Sequence, residues 1–283
     1  MIVKMGLCQL VPEPGNPAAN AEAVCELLAT MDADVLAFPE MFLTGYGSDI
    51  SGLKDDTEAA LDKILAACKS ADKAVAIGAP RWDGGRIYNG YFFLSPDGVA
   101  CYDKAHLAKF GIYSEDGFDE GNHRVMGTYK GILFGMCVCY DIFFPEILHG
   151  CSLNGASVNI CCAASAKPSK PFLDAVLPAR AVENVTYMVY INNVGPMAGL
   201  DMHGCSRGLD PLGNTIADCG DDVCVSIMWI DTDHIRKCRD IRRHLEDFRS
   251  DVDWLGEPRS SYCAKSINAT ISSSHRSRGG PAR

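Results

Sequence analysis

Short apolar runs alternate with stretches of helical spacing along this chain. Residues 2–10 alternate loosely between apolar and polar positions and predict a first strand. Asn16-Pro17 then caps a helical pattern through Ala23, Val24, Leu27, Leu28 and Met31. Residues 34–39 form a short buried strand, ended by Pro39-Glu40. Helical spacing returns over 57–71, with Ala60, Leu61, Ile64, Leu65 and Cys68 on one face, and 74–79 is the next strand. Residues 86–94 and 99–103 pair as a hairpin across Ser95-Pro96-Asp97-Gly98, a strong turn signal. Residues 104–123 read as a long polar and aromatic loop, and a loop of that length within a compact domain tends to be functional.

The second half repeats the alternation. The apolar run 131–138 is a buried strand that stops at Cys139. Tyr140-Asp141 follows, and Pro145 opens a helix over about 145–154. Residues 156–161 are a strand, 172–184 a helix and 187–191 a strand. A hairpin joins 206–209 to 215–217 around Asp210-Pro211-Leu212-Gly213-Asn214, and 223–230 is the last clear strand. Residues 233–248 form a charged helix or arm. This order predicts an α/β fold in which helices cover the outside of two packed sheets. With no break in composition, residues 1–265 are expected to form one domain, and the Ser-, Arg- and Gly-rich residues 266–283 a disordered tail.

Composition narrows the function classes. The 283 residues are 47% hydrophobic and 22% charged, as in ordinary globular proteins, and the net charge of −10 argues against nucleic acid as a partner. No apolar run reaches the ~18 residues of a membrane span, and the N-terminus reads as a strand, not a signal peptide. Fourteen cysteines at irregular spacing in so large a chain fit a reducing cytoplasm better than a disulfide framework. There is no CxxC pair, so a metal site is not expected.

Three strand ends carry reactive residue types. Cys139 sits at the tip of a strand before a turn into a helix, the placement a nucleophile needs, although read alone a free cysteine is more often simply buried. A thiol is a weak nucleophile near neutral pH and needs a base or a nearby cation. None of the seven histidines lies at an evident strand end. Glu40 and Lys104 do; read alone, the first could be a turn carboxylate and the second a surface lysine.

Together these stretches resemble the nitrilase superfamily, the carbon–nitrogen hydrolases, from about residue 3 to residue 254. Phe38-Pro39-Glu40-Met41-Phe42-Leu43-Thr44-Gly45-Tyr46 looks like the segment carrying that family's general base. Tyr102-Asp103-Lys104-Ala105-His106-Leu107 looks like the one carrying its catalytic lysine. Residues 135–146, with Cys139-Tyr140-Asp141, look like the nucleophile segment. Arg180-Ala181-Val182-Glu183-Asn184, Asn192-Asn193-Val194-Gly195, Gly204-Cys205-Ser206 and Pro211-Leu212-Gly213 resemble further, structural stretches. The resemblance implies a four-layer α-β-β-α sandwich, no cofactor or metal, and a homodimer or higher homo-oligomer with residues 233–254 as an interface arm. It implies Glu40 as base, Lys104 as catalytic cation, Cys139 as nucleophile and Glu115 as a second glutamate. Spacing to Phe118 is one residue short of the family's, which leaves Glu120 as the alternative. Tyr46, Tyr140, Phe143 and Ala164 are the implied substrate-binding residues.

Tyr140-Asp141 after the cysteine resembles the amidase-like branches more than the nitrile-cleaving ones, which follow it with Trp-Glu. The expected activity is hydrolysis of a small amide or N-carbamoyl compound through a cysteine thioester. A nitrilase and an ammonia-supplying glutaminase-like subunit are the alternatives. Ile142-Phe143-Phe144 lacks the arginine that branches acting on acidic substrates place here, which points to a neutral or cationic substrate with an apolar part, unless another arginine such as Arg207 serves.

Overall fold

The computed structural model describes residues 1–110 and 113–251. The tail expected over 266–283 and the end of the expected arm at Trp254 lie outside the described residues. Residues Met1–Leu245 form one compact unit.

Two six-stranded sheets make up that unit. The first is built from β1 (Ile2–Gln9), β2 (Val35–Ala37), β3 (Ala74–Asp83), β4 (Arg86–Ser95) and β5 (Gly98–Asp103). A small hairpin follows, β6 (Lys109–Phe110) with β7 (Tyr113–Ser114), so the segment expected to be plain loop carries its own structure. The second sheet begins with β8 (Met126–Tyr129), β9 (Ile132–Val138), β10 (Val158–Ala163) and β11 (Tyr187–Asn192). A two-stranded hairpin, β12 (Val194–Met197) and β13 (Leu200–His203), leads to β14 (Arg207–Leu209) and β15 (Thr215–Asp218), which complete it. The chain then returns to the first sheet with β16 (Cys224–Asp231), antiparallel to β1 with Ile2 opposite Asp231. The strand orders are β16-β1-β2-β3-β4-β5 and β15-β14-β11-β10-β9-β8.

The inward faces of the two sheets make one core. Met5, Leu7, Tyr91 and Phe93 from the first pack with Phe134, Met136, Val189 and Ile191 from the second. The Phe93 and Phe134 rings stack with centroids 4.9 Å apart. Each such side chain, fully buried, contributes about 1.5–3 kcal/mol. Helices α1 (Pro17–Thr30) and α2 (Lys54–Ala71) cover the outer face of the first sheet, where Val24, Leu28, Ile64 and Cys68 meet Leu36, Val75 and Ile77. Asn16 caps α1 through Ala19 N, 3.1 Å away, as the Asn-Pro pair predicts. Helices α3 (Pro145–Leu153) and α4 (Lys170–Asn184) cover the second sheet through Leu148, Leu173 and Leu177. The expected four-layer α-β-β-α order is therefore present. The charged segment after β16 is shorter than expected: α5 spans Thr232–Ile241 and ends where Arg242 turns extended.

Candidate active site

Cys139 stands where β9 gives way to a 3-10 turn, Cys139–Phe143. Cys137, two residues earlier, is sealed in the core. The backbone of Cys139 has φ +51°, the left-handed region that costs a non-glycine residue energy, and such strain needs surroundings that enforce it. Asp141 supplies them. Its buried carboxylate accepts from Val138 N at 3.3 Å, Tyr102 Oη at 2.9 Å, Ala105 N at 3.3 Å, His106 N at 2.9 Å and His106 Nδ1 at 2.8 Å. The turn holding Cys139 is thereby tied to the segment that holds Lys104. The His106 ring in turn lies flat on Phe144, with centroids 3.5 Å apart.

Lys104 follows β5 and is completely buried. Its ammonium donates to Glu40 Oε1 and to Glu115 Oε1, both at 2.8 Å. Asn89, on β4, donates to the same two oxygens, at 2.7 Å and 3.2 Å. Tyr46 Oη adds a bond to Glu115 Oε1 at 3.3 Å, and Ala108 N one to Glu115 Oε2 at 2.7 Å. Glu115 thus occupies the position beside Lys104, while Glu120 is exposed. Glu40 lies just beyond β2, its main chain held by Asn193, whose Nδ2 donates to Glu40 O at 2.9 Å. Gly78 on β3 makes room for it, because a Cβ there would lie 2.7 Å from Glu40 Cα. Oε2 of Glu40 is buried and has no hydrogen-bond partner among the described residues.

These charges act on one another. Burial pushes the Glu40 carboxyl above the ordinary carboxylate range; Lys104 opposes this and Glu115 adds to it. Burial disfavours the Lys104 ammonium, yet Glu40, Cys139 and Glu115 together hold it protonated well above its usual range. The Cys139 thiol is pushed up by burial and by Glu40, against the pull of Lys104. The resting site is therefore a neutral thiol beside an ion-paired carboxylate, and the thiol proton needs a base when the sulfur attacks.

Cys139 opens into a pocket of about 590 Å³, which Tyr140, Phe143 and Ala164 line together with Ser165, Phe172 and Leu200. The structure thus brings every expected site residue together except Arg207. That guanidinium pairs with Asp174 instead, and it is absent from the pocket wall. Sequence reading missed Asn89 and Ser165, and it took Asn193 as structural. Asn89 reads as one polar position in a strand, and only strand pairing aims it at the glutamates.

A family model described as carbon-nitrogen hydrolase matches residues 4–240. An (R)-stereoselective amidase from a Pseudomonas species is 30% identical over 254 residues, covering 87% of this chain and 92% of the relative. The 2-oxoglutaramate amidase of Bacillus subtilis is 27% identical, covering 84% of this chain and 94% of the relative. In structure, a CN-hydrolase superfamily protein of Xanthomonas campestris superposes with a TM-score of 0.81 at 22% identity, over 89% of this chain and 99% of its own. With two helix-flanked sheets, and with a glutamate, a lysine and a cysteine converging from three strand ends, the chain belongs to the carbon–nitrogen hydrolase family.

Proposed function

We propose that this hydrolase cleaves small amides or N-carbamoyl compounds whose acyl side is apolar and uncharged, with Cys139 as nucleophile. Glu40 takes the thiol proton as the sulfur attacks the carbonyl carbon. Lys104 Nζ and the backbone N–H of Tyr140 receive the developing oxyanion. The C–N bond breaks, the proton held by Glu40 leaves with ammonia or an amine, and a thioester remains on Cys139. Glu40 then deprotonates a water that hydrolyses the thioester, which frees the acid and the thiol. Glu115 keeps Lys104 in place and its charge compensated.

The observation that carries this reading is the buried lysine held at 2.8 Å by two carboxylates beside a strained, partly buried cysteine. The pocket supports the substrate class, since among the described residues no charged side chain lines it, while Phe143 and Phe172 do. Cys139→Ala is expected to abolish turnover of such an amide while leaving the far-UV circular dichroism unchanged. Wild-type enzyme should show an acyl adduct on Cys139 by mass spectrometry when a panel of amides, carbamoyl compounds and nitriles is presented. Substantial turnover by Cys139→Ala would sink the assignment, and adducts from nitriles alone would move it to nitrilase chemistry.

We further infer a homo-oligomer, the assembly that the family resemblance implies, and the exposed Leu153 on α3 and Val182 on α4 are compatible with it. Among the described residues no helix is long and apolar enough to cross a membrane. The cysteine-rich composition fits a reducing, cytoplasmic setting.

A further inference from the structure

Behind Cys139 lies a line of hydrogen-bonding groups that the mechanism above does not use. Ser165, just beyond β10, places Oγ 3.5 Å from Cys139 Sγ. Tyr190 on β11 is wholly buried, and the Ser165 side chain acts on its phenol against the rise that burial and Cys139 impose. His203, at the end of β13 and also buried, places Nε2 3.4 Å from Tyr190 Oη. The backbone of Ser165 is pinned on both sides. Its N–H donates to Asn192 Oδ1 at 2.8 Å, and its carbonyl accepts from Asn192 Nδ2 at 3.1 Å and from His203 N at 3.2 Å. The hydroxyl is thus fixed in place by groups that never meet the pocket.

The direction of the chain follows from its far end. Nδ1 of His203 is buried with no partner among the described residues. A buried lone pair without a donor is tolerated better than a buried N–H without an acceptor, so the ring proton belongs on Nε2. Nε2–H then donates to Tyr190 Oη, which leaves the Tyr190 O–H to turn toward Ser165 and the Ser165 O–H to donate to sulfur. Burial lowers the His203 imidazole to about 4, with Lys170 and Arg207 acting in the same direction and Asp174 against them. Burial also raises the Tyr190 phenol, so both groups are neutral at working pH. The line delivers an oriented donor and no charge.

We propose that Ser165 donates a hydrogen bond to the Cys139 sulfur as it becomes thiolate, and that Tyr190 and His203 orient that donor. Ser165 touches the reacting atom and is a catalytic residue in this sense; Tyr190 and His203 act through it and are positioning residues. The charged groups facing Cys139, namely Glu40, Glu115 and Lys104, belong to the other sheet's loops. The serine donor therefore reaches the sulfur independently of them. The inference rests on Cys139 being the nucleophile.

The test is peptide-resolved alkylation of Cys139 by iodoacetamide across a range of pH, run beside amide turnover. Ser165→Ala should slow Cys139 alkylation about tenfold, the worth of one hydrogen bond to a charged group, and displace the pH–rate profile toward alkaline pH. Ser165→Thr should restore both, and Tyr190→Phe should produce a smaller change of the same sign. The Ser165→Ala/Tyr190→Phe double variant should be no slower than Ser165→Ala alone. An unchanged profile in Ser165→Ala, or full additivity in the double variant, overturns the proposal. Full turnover by Cys139→Ala would instead remove the nucleophile assignment, so the two failures are separable.

Discussion

Burial raises the Glu40 carboxyl against the pull of Lys104, and the negative charge of Glu115 adds to that rise. A base with a raised pKa loses its function as pH falls through that raised value, so the acid limb of kcat/KM should lie above the pH typical of carboxylates. Glu115→Gln removes the like charge, which lowers the Glu40 pKa and moves that limb to lower pH. The same change loosens Lys104, and kcat should fall by up to about 100-fold. A pH–rate profile of the variant checks both, and an acid limb that stays in place would contradict the coupling. At this scale the sequence was informative where a residue type matched a strand end, as for Glu40, Lys104 and Cys139. It was silent on Asn89, Ser165, Tyr190 and His203, whose roles arise only when separate strands meet. It also offered Arg207 as an anchor, although Asp174, 33 positions earlier, holds that side chain.

The strands and helices position the site by close approach. Gly78 is the clearest case, since β3 passes directly under the Glu40 segment, and Met41 next to Glu40 adopts φ +54°. Gly78→Ala should push that segment off its place, costing about 1–3 kcal/mol of stability by overpacking. The loss of kcat should be larger than the loss of stability implies. Thermal denaturation and steady-state kinetics of the variant decide this, and wild-type kcat would show that Glu40 does not depend on the contact. Most elements were legible from period and turn chemistry, to within a few residues. β8 was not, because Met126-Gly127-Thr128-Tyr129 is short and lacks an apolar run. Nor was the β12–β13 hairpin, because Gly195 and Pro196 read as a break. The start of α2 was placed late, since Asp55 and Asp56 look like loop residues although acidic groups suit a helix N-terminus.

Across the compact unit, the site is divided between the two sheets. Glu40 and Lys104 leave the first sheet, Cys139 and Ser165 the second, and Asn193 bridges them through Glu40 O across 153 positions of sequence. On refolding from denaturant, amide turnover should therefore return more slowly than far-UV ellipticity, because local structure precedes sheet docking. Equal rate constants for the two signals would refute this. The pairing of β1 with β16 has a consequence for synthesis. β1 lies between β2 and β16, and its second edge finds a partner only when residues 224–231 arrive. A nascent chain leaving the ribosome carries that edge open until residues 224–231 have been made. An unpaired strand edge is a template for association with other chains. During its production this protein is thus exposed to aggregation at β1, and chaperone demand should fall on that strand.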